Sequence, residues 1–244
     1  MGTLAGILLV VTLAFAPGLF WLWYFYKKDK IEPEPLHLVR NCFLLGMVAT
    51  IPAIIVELFV EFVFPSKFVS LSVTAPIVEE ICKFLVVYLA VYKHAEFDEP
   101  MDGVVYGVAS ALGFASLENV FYLAEAYRSS GTEFATTALI RALMSVPGHA
   151  LQACMWGYAL GFAKFADPQR GRRMIIMGLL LAMVLHGVFN FCAFVAQVRP
   201  LLGALAALGM MCVVAVMWVL AIRRIRKALA SSPHDVKLNI DVQR

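Results

Sequence analysis

The sequence predicts an all-α membrane protein, a polytopic bundle of about seven transmembrane helices. Of its 244 residues, 61% are hydrophobic and only 15% are charged, whereas a soluble domain keeps roughly a quarter of its residues charged. The hydrophobic residues form runs of about 20 or more, the length that crosses a bilayer as a helix. Seven such runs are predicted, at residues 3–26, 38–64, 69–92, 102–124, 137–163, 174–198 and 200–222. They predict one transmembrane domain, 1–222, and a short basic tail, 223–244.

Each run has its own character. The first has no basic segment before it and no small-residue cleavage site, which predicts a retained helix. The second is apolar apart from Glu57 and Glu61, which are expected at the membrane interface. The third to sixth contain polar side chains near mid-length, and the seventh ends in a basic stretch from Arg223 that suits the headgroup region. The five cysteines lie in five different runs without metal or redox spacing, and are expected to be packing residues.

Basic residues in the connections predict the orientation of the bundle. Fifteen lysines and arginines lie after the first, third, fifth and seventh runs, whereas four lie in the opposite connections. Because cytoplasmic loops are enriched in lysine and arginine, the N-terminus is expected outside and the tail beyond Arg223 in the cytoplasm.

The third to sixth helices carry side chains that are costly in a bilayer. An ionisable group at mid-bilayer costs about 2.5–3.5 kcal/mol on insertion scales. The polar residues are, in chain order, Glu79, Glu80, Lys83, Glu118, Asn119, Tyr122, His149, His186 and Asn190. At about 1.5 Å per residue, Glu79 lies roughly 15 Å below the outer end of its helix, and both histidines reach a similar depth. Four successive helices therefore present polar groups to one layer, the middle and outer half of the membrane.

The spacing of these residues places them on common helix faces. Three pairs are spaced i, i+4: Glu79–Lys83, Glu118–Tyr122 and His186–Asn190. Lys83 can therefore pair with one carboxylate of helix three and leave the other beside the imidazoles. Pro76 and Pro147 precede the polar residues of helices three and five. A proline removes a backbone donor, which is tolerated where a helix borders a cavity.

Carboxylates with imidazoles can activate water in two ways. A glutamate can act as general base while a His–Asn pair stabilises an oxyanion. The same side chains could instead hold a divalent metal such as zinc. The sequence is compatible with both of these mechanisms. It excludes a His-Glu-x-x-His metal helix, a transmembrane aspartate pair and a serine nucleophile in a Gly-x-Ser setting.

This set of residues resembles the PrsW-type intramembrane proteases, a family distantly related to the CAAX-processing and bacteriocin-processing membrane proteases. The matching segments are Glu79-Glu80-x-x-Lys83, Phe114-x-x-x-Glu118-Asn119-x-x-Tyr122, Pro147-Gly148-His149 continuing to Gly157, and His186-x-x-x-Asn190. They follow one another on four successive helices. The resemblance covers about residues 70–195, the expected catalytic core. The CAAX-type relatives have a histidine where Glu118 stands, which argues against a prenyl-protein substrate.

The resemblance implies a peptidase and a role for each residue. Its implied assignments are Glu79 or Glu80 as base, Glu118 and His149 to hold water or metal, His186 and Asn190 for the oxyanion, and Lys83, Asn119 and Tyr122 in support. A metal would take ligands from Glu79, Glu80, Glu118, His149 and His186. The implied substrate is a single-span membrane protein of the anti-sigma-factor type, cut near the outer face of the bacterial inner membrane.

Two other classes of protein remain open at the level of the sequence. Mid-membrane glutamate, histidine and lysine also suit a transporter coupled to protons or cations. A non-catalytic scaffold, in which the polar residues only order the bundle, is the third interpretation. Loss of cleavage on conservative substitution would favour the protease, and flux into liposomes would favour the transporter.

Overall fold

Seven long helices with short connections make up the part of the chain that the computed structural model describes, residues 4–198 and 200–234. They are α1 (Leu4–Tyr26), α2 (Leu36–Val63), α3 (67–90), α4 (Pro100–Ser129), α5 (131–164), α6 (Pro168–Val198) and α7 (Pro200–Leu229). No strand occurs in these ranges. The prediction of an all-α bundle of about seven helices is confirmed.

Several helices extend beyond the apolar runs that predicted them. α6 begins at Pro168, ahead of residue 174, and α7 continues to Leu229, so the first residues of the predicted tail belong to that helix. These extensions carry Arg172, Arg173 and a group of basic residues from Arg223. Long basic side chains suit helix ends at the headgroup level. Hydropathy therefore marks the membrane-buried length of a helix and not its full length.

Five helices have the uninterrupted length and apolar composition of a membrane span: α1, α2, α4, α6 and residues Leu202–Leu229 of α7. The other two, α3 and α5, reach spanning length when the segments on both sides of an internal π-helical turn are taken together. At about 1.5 Å per residue, the 67–90 helix is roughly 36 Å long, enough for a hydrocarbon core of about 30 Å.

α4 lies at the centre of the bundle. In its most apolar window 78% of the residues are buried, compared with 17–22% in the other four candidate spans. Glycines allow this close packing: a methyl group added at Gly113 would overlap the carbonyl of Phe43 in α2, and one at Gly103 would overlap that of Gly157 in α5. Small residues at such contacts let helix backbones approach closely. The central position of α4 brings α2, α3 and α5 around it.

The π-helical turn of α3, Ser70–Thr74, leaves one carbonyl without a regular helical donor. The N–H of Ala75 donates to Ser70 and not to Leu71. In the π register the next donor for Leu71 would be Pro76, which has no N–H. The Nδ2 group of Asn190 in α6 donates to this carbonyl at 2.9 Å. A side chain from another helix therefore completes the backbone hydrogen bonding of α3.

α5 repeats the arrangement at its own π-helical turn, Arg141–Ser145. The N–H of Val146 donates to Arg141, and Pro147 has no N–H to give to Ala142. The indole Nε1 of Trp21 in α1 donates to the Ala142 carbonyl at 3.2 Å. Both interrupted helices are thus tied to a neighbour just before their polar residues.

Candidate functional site

The polar side chains of α3, α4, α5 and α6 meet around one cavity of about 560 Å³ inside the bundle. Residues from all four helices line it, among them Glu79, Glu118, His149, His186 and Asn190. The sequence analysis expected these groups at one depth, and the structure brings them together.

Lys83 lies at the centre of the polar cluster and is completely buried. Its Nζ atom is 2.8 Å from Glu79 Oε2, 2.9 Å from Glu80 Oε1 and 2.8 Å from His149 Nδ1. An ammonium group has three donors, so these contacts use all of them. The expected pairing with one carboxylate is present, and the second carboxylate and a histidine join it.

The two adjacent glutamates differ in their surroundings. Glu80 is fully buried, and its oxygens accept from Lys83, from Trp156 Nε1 at 2.9 Å and from the ring of His186, whose Nδ1 lies 3.0 Å from Oε1. Glu79 is 4% exposed and lines the cavity. Its closest polar partner is Lys83. Both oxygens of Glu80 are therefore engaged, whereas Glu79 faces the open space.

His149 connects α3 to α4. Its Nδ1 atom contacts Lys83 at 2.8 Å, and its Nε2 atom lies 3.2 Å from Glu118 Oε2. Because an ammonium group can only donate, Nδ1 is the acceptor and the ring proton lies on Nε2, directed at Glu118. His149 and His186 face each other with ring centroids 5.3 Å apart.

Arg141 organises the polar residues of α4. Its Nη2 atom is 2.5 Å from Glu118 Oε2, its Nε donates to Asn119 Oδ1, and its guanidinium lies 4.1 Å from the centre of the Tyr122 ring. Asn119 also donates to the carbonyl of Ala14 in α1 at 3.2 Å. Glu118 is therefore held between a guanidinium and an imidazole.

The sequence analysis missed Arg141, which it counted among the external basic residues. The structure buries it within α5. Arg141 lies inside the predicted run 137–163, and an arginine there needs a carboxylate partner such as Glu118. This position could have indicated that Arg141 belongs to the site. Trp156 and Glu57 were also missed: Trp156 binds Glu80, and Glu57, expected at the interface, lines the cavity. Neither carries a sequence pattern that indicates a site.

Four of the cluster residues could hold a metal ion. One ligand atom from each of Glu79, Glu80, His149 and His186 lies within 4.8 Å of the other three. Two imidazole nitrogens with carboxylate oxygens are a donor set that zinc accepts, and tetrahedral bonds of about 2.0–2.2 Å separate such atoms by about 3.4 Å. A contraction of at most about 1.4 Å would therefore suffice, and the residues fit the ion. Glu118, expected as a further ligand, is outside this set and is engaged by Arg141.

This fold and this buried carboxylate–histidine cluster are those expected of a peptidase embedded in the membrane. A family model described as PrsW family intramembrane metalloprotease matches residues 34–221. The chain belongs to the PrsW family.

Several relatives named as proteases support this assignment. The chain is 40% identical over 184 residues to protease PrsW of Geobacillus kaustophilus, a match covering 75% of this chain and 78% of the relative. It is 35% identical to protease PrsW of Bacillus subtilis, with 75% and 81% coverage, and 31% identical to that of Oceanobacillus iheyensis, with 90% and 95%. No solved structure matches the chain significantly. The chain is thus a multi-pass bacterial membrane protein and a peptidase, and the resemblance drawn from its motifs is confirmed.

Proposed function

We propose that this protease cuts a single-span, membrane-anchored protein of the anti-sigma-factor type near the outer face of the inner membrane, with Glu79 as general base. The observation that carries the proposal is the position of Glu79, whose carboxylate lines the cavity while Lys83 holds it at 2.8 Å. A carboxylate so placed can take a proton from a water molecule as the water attacks a peptide carbonyl.

Glu79 suits the role of base better than Glu80. A general base must reach the reacting water within hydrogen-bond distance. Glu80 has no exposed surface and its two oxygens are engaged by Lys83, His186 and Trp156. Its proposed role is to orient His186.

The bond between Glu80 and His186 favours a metal-dependent mechanism. Glu80 accepts from an ammonium and an indole N–H, so it is ionised and accepts from His186 Nδ1 as well. A neutral His186 then carries its lone pair on Nε2. Metal-binding histidines are commonly oriented by a carboxylate in this way. In the metal-free mechanism His186 would have to donate to an oxyanion through Nε2 as well. Its ring would then carry a proton on both nitrogens.

Zinc is the proposed ion, held by the imidazoles of His149 and His186 of this chain, with the carboxylate of Glu79 beside it as the base. Zinc accepts imidazole nitrogens as ligands, and water can complete its coordination. When bound, the ion would polarise the peptide carbonyl and lower the pKa of a water molecule. Lys83 would give up its bond to His149 Nδ1 and keep both carboxylates. Asn190 lines the cavity with a second N–H beyond the one given to Leu71, and is proposed to bind the peptide carbonyl oxygen.

The direction in which the cavity extends supports cleavage near the outer face. Its lining continues from the polar cluster to Glu125 near the end of α4, Glu133 at the start of α5 and Gln197 at the end of α6. The connections at this end are those that the basic-residue bias places outside. A substrate approaching from that side would meet Glu79 before Glu80.

A cleavage assay in liposomes with a panel of single-span substrates tests this function. Glu79→Gln keeps the shape of the side chain and removes its basicity, so turnover should fall by about 10²–10⁴-fold. Removal of metal with a chelator should abolish cleavage by the wild type, and zinc should restore it.

Glu61→Gln is the matched control, because Glu61 is half-buried, lies outside the cavity lining and pairs with the exposed Lys67, 2.7 Å away. It should cleave at the wild-type rate. Full turnover by Glu79→Gln would contradict the assignment of Glu79 as the base. Cleavage that persists in chelator would contradict the metal-dependent mechanism and favour the metal-free one.

A further inference from the structure

Glu57 of α2 is a carboxylate in the peptidase cavity that the proposed mechanism does not use. Its side chain lines the same cavity as Glu79 and Glu118, and the charges of the three carboxylates are close enough to interact. α2 ends at Val63, so at about 1.5 Å per residue Glu57 lies roughly 9 Å from that end of the helix. Because the helices alternate in direction, α2 ends at the same face of the bundle as α4. Glu57 therefore lies in the half of the cavity that a substrate would enter first.

Glu57 has no partner of its own among the residues that the structure describes. No lysine, arginine or histidine of these residues forms an ion pair with it, and its Oε1 atom is buried without a hydrogen bond. By contrast, Glu79 is paired with Lys83 and Glu118 with Arg141. A carboxylate oxygen removed from water without a partner is unfavourable. The free oxygen of Glu57 therefore indicates a partner that arrives from outside the chain.

A second acceptor without a donor lies deeper in the same cavity. Gln152 of α5, three residues after His149, is 1% exposed, lines the cavity and has an Oε1 atom without a hydrogen bond. Among the described residues of the cavity lining, Glu57 and Gln152 contribute the buried side-chain atoms that lack a partner, and both atoms are oxygens. Buried polar atoms in proteins are nearly always paired. A ligand that matches this cavity therefore brings hydrogen-bond donors.

The charge of the lining favours a cationic ligand. Towards the outer face the cavity carries Glu125 and Glu133, and neither forms an ion pair with a described residue. Arg141, the arginine of the described lining, is engaged by Glu118. A cleft lined by charges of one sign concentrates ligands of the opposite sign. Arginine and lysine side chains carry a positive charge and offer only donors, so they match both properties of the cavity.

We propose that Glu57 forms a subsite for a basic side chain of the substrate, an arginine or lysine on the outer side of the scissile bond. This inference rests on the proposed function, because it requires that a peptide enters the cavity. A hydrogen bond between ionised groups is about twice as strong as a neutral one. Gln152 accepts a backbone N–H of the same peptide segment. The protease thus selects single-span proteins that carry a basic residue in the outer half of the span.

Binding of matched peptides to the inactive Glu79→Gln protein in lipid nanodiscs tests the subsite apart from cleavage. The probes are fluorescent single-span peptides with one arginine placed in turn at each position of the outer half of the span, and the same peptides with glutamine there. At one or two neighbouring positions the arginine peptide should bind at least about tenfold more tightly, the effect of one hydrogen bond to a charged group.

Adding Glu57→Gln to this protein should remove the preference for arginine, and adding Glu57→Arg should transfer it to a peptide with glutamate at that position. In the active enzyme, Glu57→Gln should raise KM for the arginine substrate about tenfold and leave kcat near wild type, because it removes binding that the ground state and the transition state share. Without substrate, Glu57→Gln should not lower the unfolding temperature, since it removes an unpaired charge. A lower unfolding temperature would show that Glu57 serves the fold instead.

Glu61→Gln is the matched control, one turn further along α2 and outside the cavity lining, and it should keep the arginine preference. Equal binding of the arginine and glutamine peptides at every position would overturn the proposal. So would a preference that survives Glu57→Gln, or one that Glu61→Gln removes as well, because the negative charge of the whole face would then attract the peptide. A preference that depends on Glu57 in a protein whose active form cuts none of the peptides would support the subsite and refute the proposed function.

Discussion

Lys83 shows how one buried charge can organise a site. Its ammonium group bridges two carboxylates of its own helix and a histidine of α5. It fixes the direction of Glu79 and the tautomer of His149 together. A cation–π contact with Phe114 also holds the ammonium group, since the Nζ atom of Lys83 lies 4.5 Å from the centre of that ring.

Replacing Lys83 with methionine should therefore destabilise the protein. The substitution keeps most of the side-chain volume but leaves Glu79 and Glu80 without their counter-ion, a change that costs about 3–5 kcal/mol in a buried ion pair. Thermal unfolding in detergent measures the loss. Lys67→Met, at an exposed pair with Glu61, should leave the unfolding temperature unchanged. Equal stability of both variants would show that the pairing in the cluster contributes nothing.

Arg141 is the second charge on which the site depends. Arg141→Lys keeps the positive charge but cannot contact Glu118, Asn119 and Tyr122 at once, because lysine lacks the planar fork of arginine. We expect cleavage to fall about tenfold or more while the protein still inserts. Arg128→Lys, on the exposed end of α4, is the comparison. Wild-type kinetics of Arg141→Lys would limit the role of Arg141 to charge alone.

At the scale of the elements, the two π-helical turns determine where the site is built. Each turn precedes a proline and exposes one carbonyl, and each carbonyl is bound by a side chain of another helix. Glu79 and His149 follow these prolines by three and two residues. The interruption thus opens the helix just where it must border a cavity.

Asn190 has a structural role in α3 and a proposed role toward the substrate, and a double-mutant cycle separates them. Asn190→Ala leaves the Leu71 carbonyl unpaired, which should cost about 1–3 kcal/mol. Pro76→Ala restores a backbone N–H beside that carbonyl and should recover much of the stability. Cleavage should stay impaired in the double variant if Asn190 also binds the peptide oxygen. Recovery of both stability and cleavage would reduce Asn190 to a structural residue.

Trp21→Phe tests the equivalent bond in α5. It removes the donor to Ala142 and keeps most of the aromatic volume, so a loss of about 1–3 kcal/mol is expected. Turnover per folded molecule should remain near wild type, since Trp21 is not among the cavity-lining residues. Trp23→Phe, largely exposed on the same helix, should change neither quantity. Trp21→Phe with unchanged stability would contradict the bond's importance.

At the scale of the whole molecule, hydropathy alone predicted the seven helices, because each must hide its backbone within a run of apolar residues. Contacts within a helix were also predictable: Glu79 and Lys83 share a face by spacing and do pair. Contacts between helices were not. Glu118 with Arg141 and Glu80 with Trp156 depend on how each helix is rotated and how far it slides against its neighbours. His186 and Asn190 share a face as predicted but bind different partners, Glu80 and Leu71.

The orientation of the bundle is the remaining prediction at this scale. The excess of basic residues places the N-terminus outside and the end of α7 in the cytoplasm. In a cysteine-free background, a probe at Gly131→Cys should react with an impermeant reagent on intact cells, and one at Glu96→Cys only after the membrane is opened. Both positions are exposed in the structure. The reverse labelling pattern would contradict this orientation and place the N-terminus in the cytoplasm.

The carbonyls of Leu71 and Ala142, each bound by a side chain of another helix, also have a consequence for biogenesis. The donor for Ala142 lies 121 residues earlier, so it has already been synthesised when α5 leaves the ribosome. The donor for Leu71 lies 119 residues later, so α3 enters the lipid with an unmet acceptor until α6 follows. We expect α3 to be retained beside the insertion machinery during that interval, and nascent chains stalled before α6 to be degraded faster than those stalled after it.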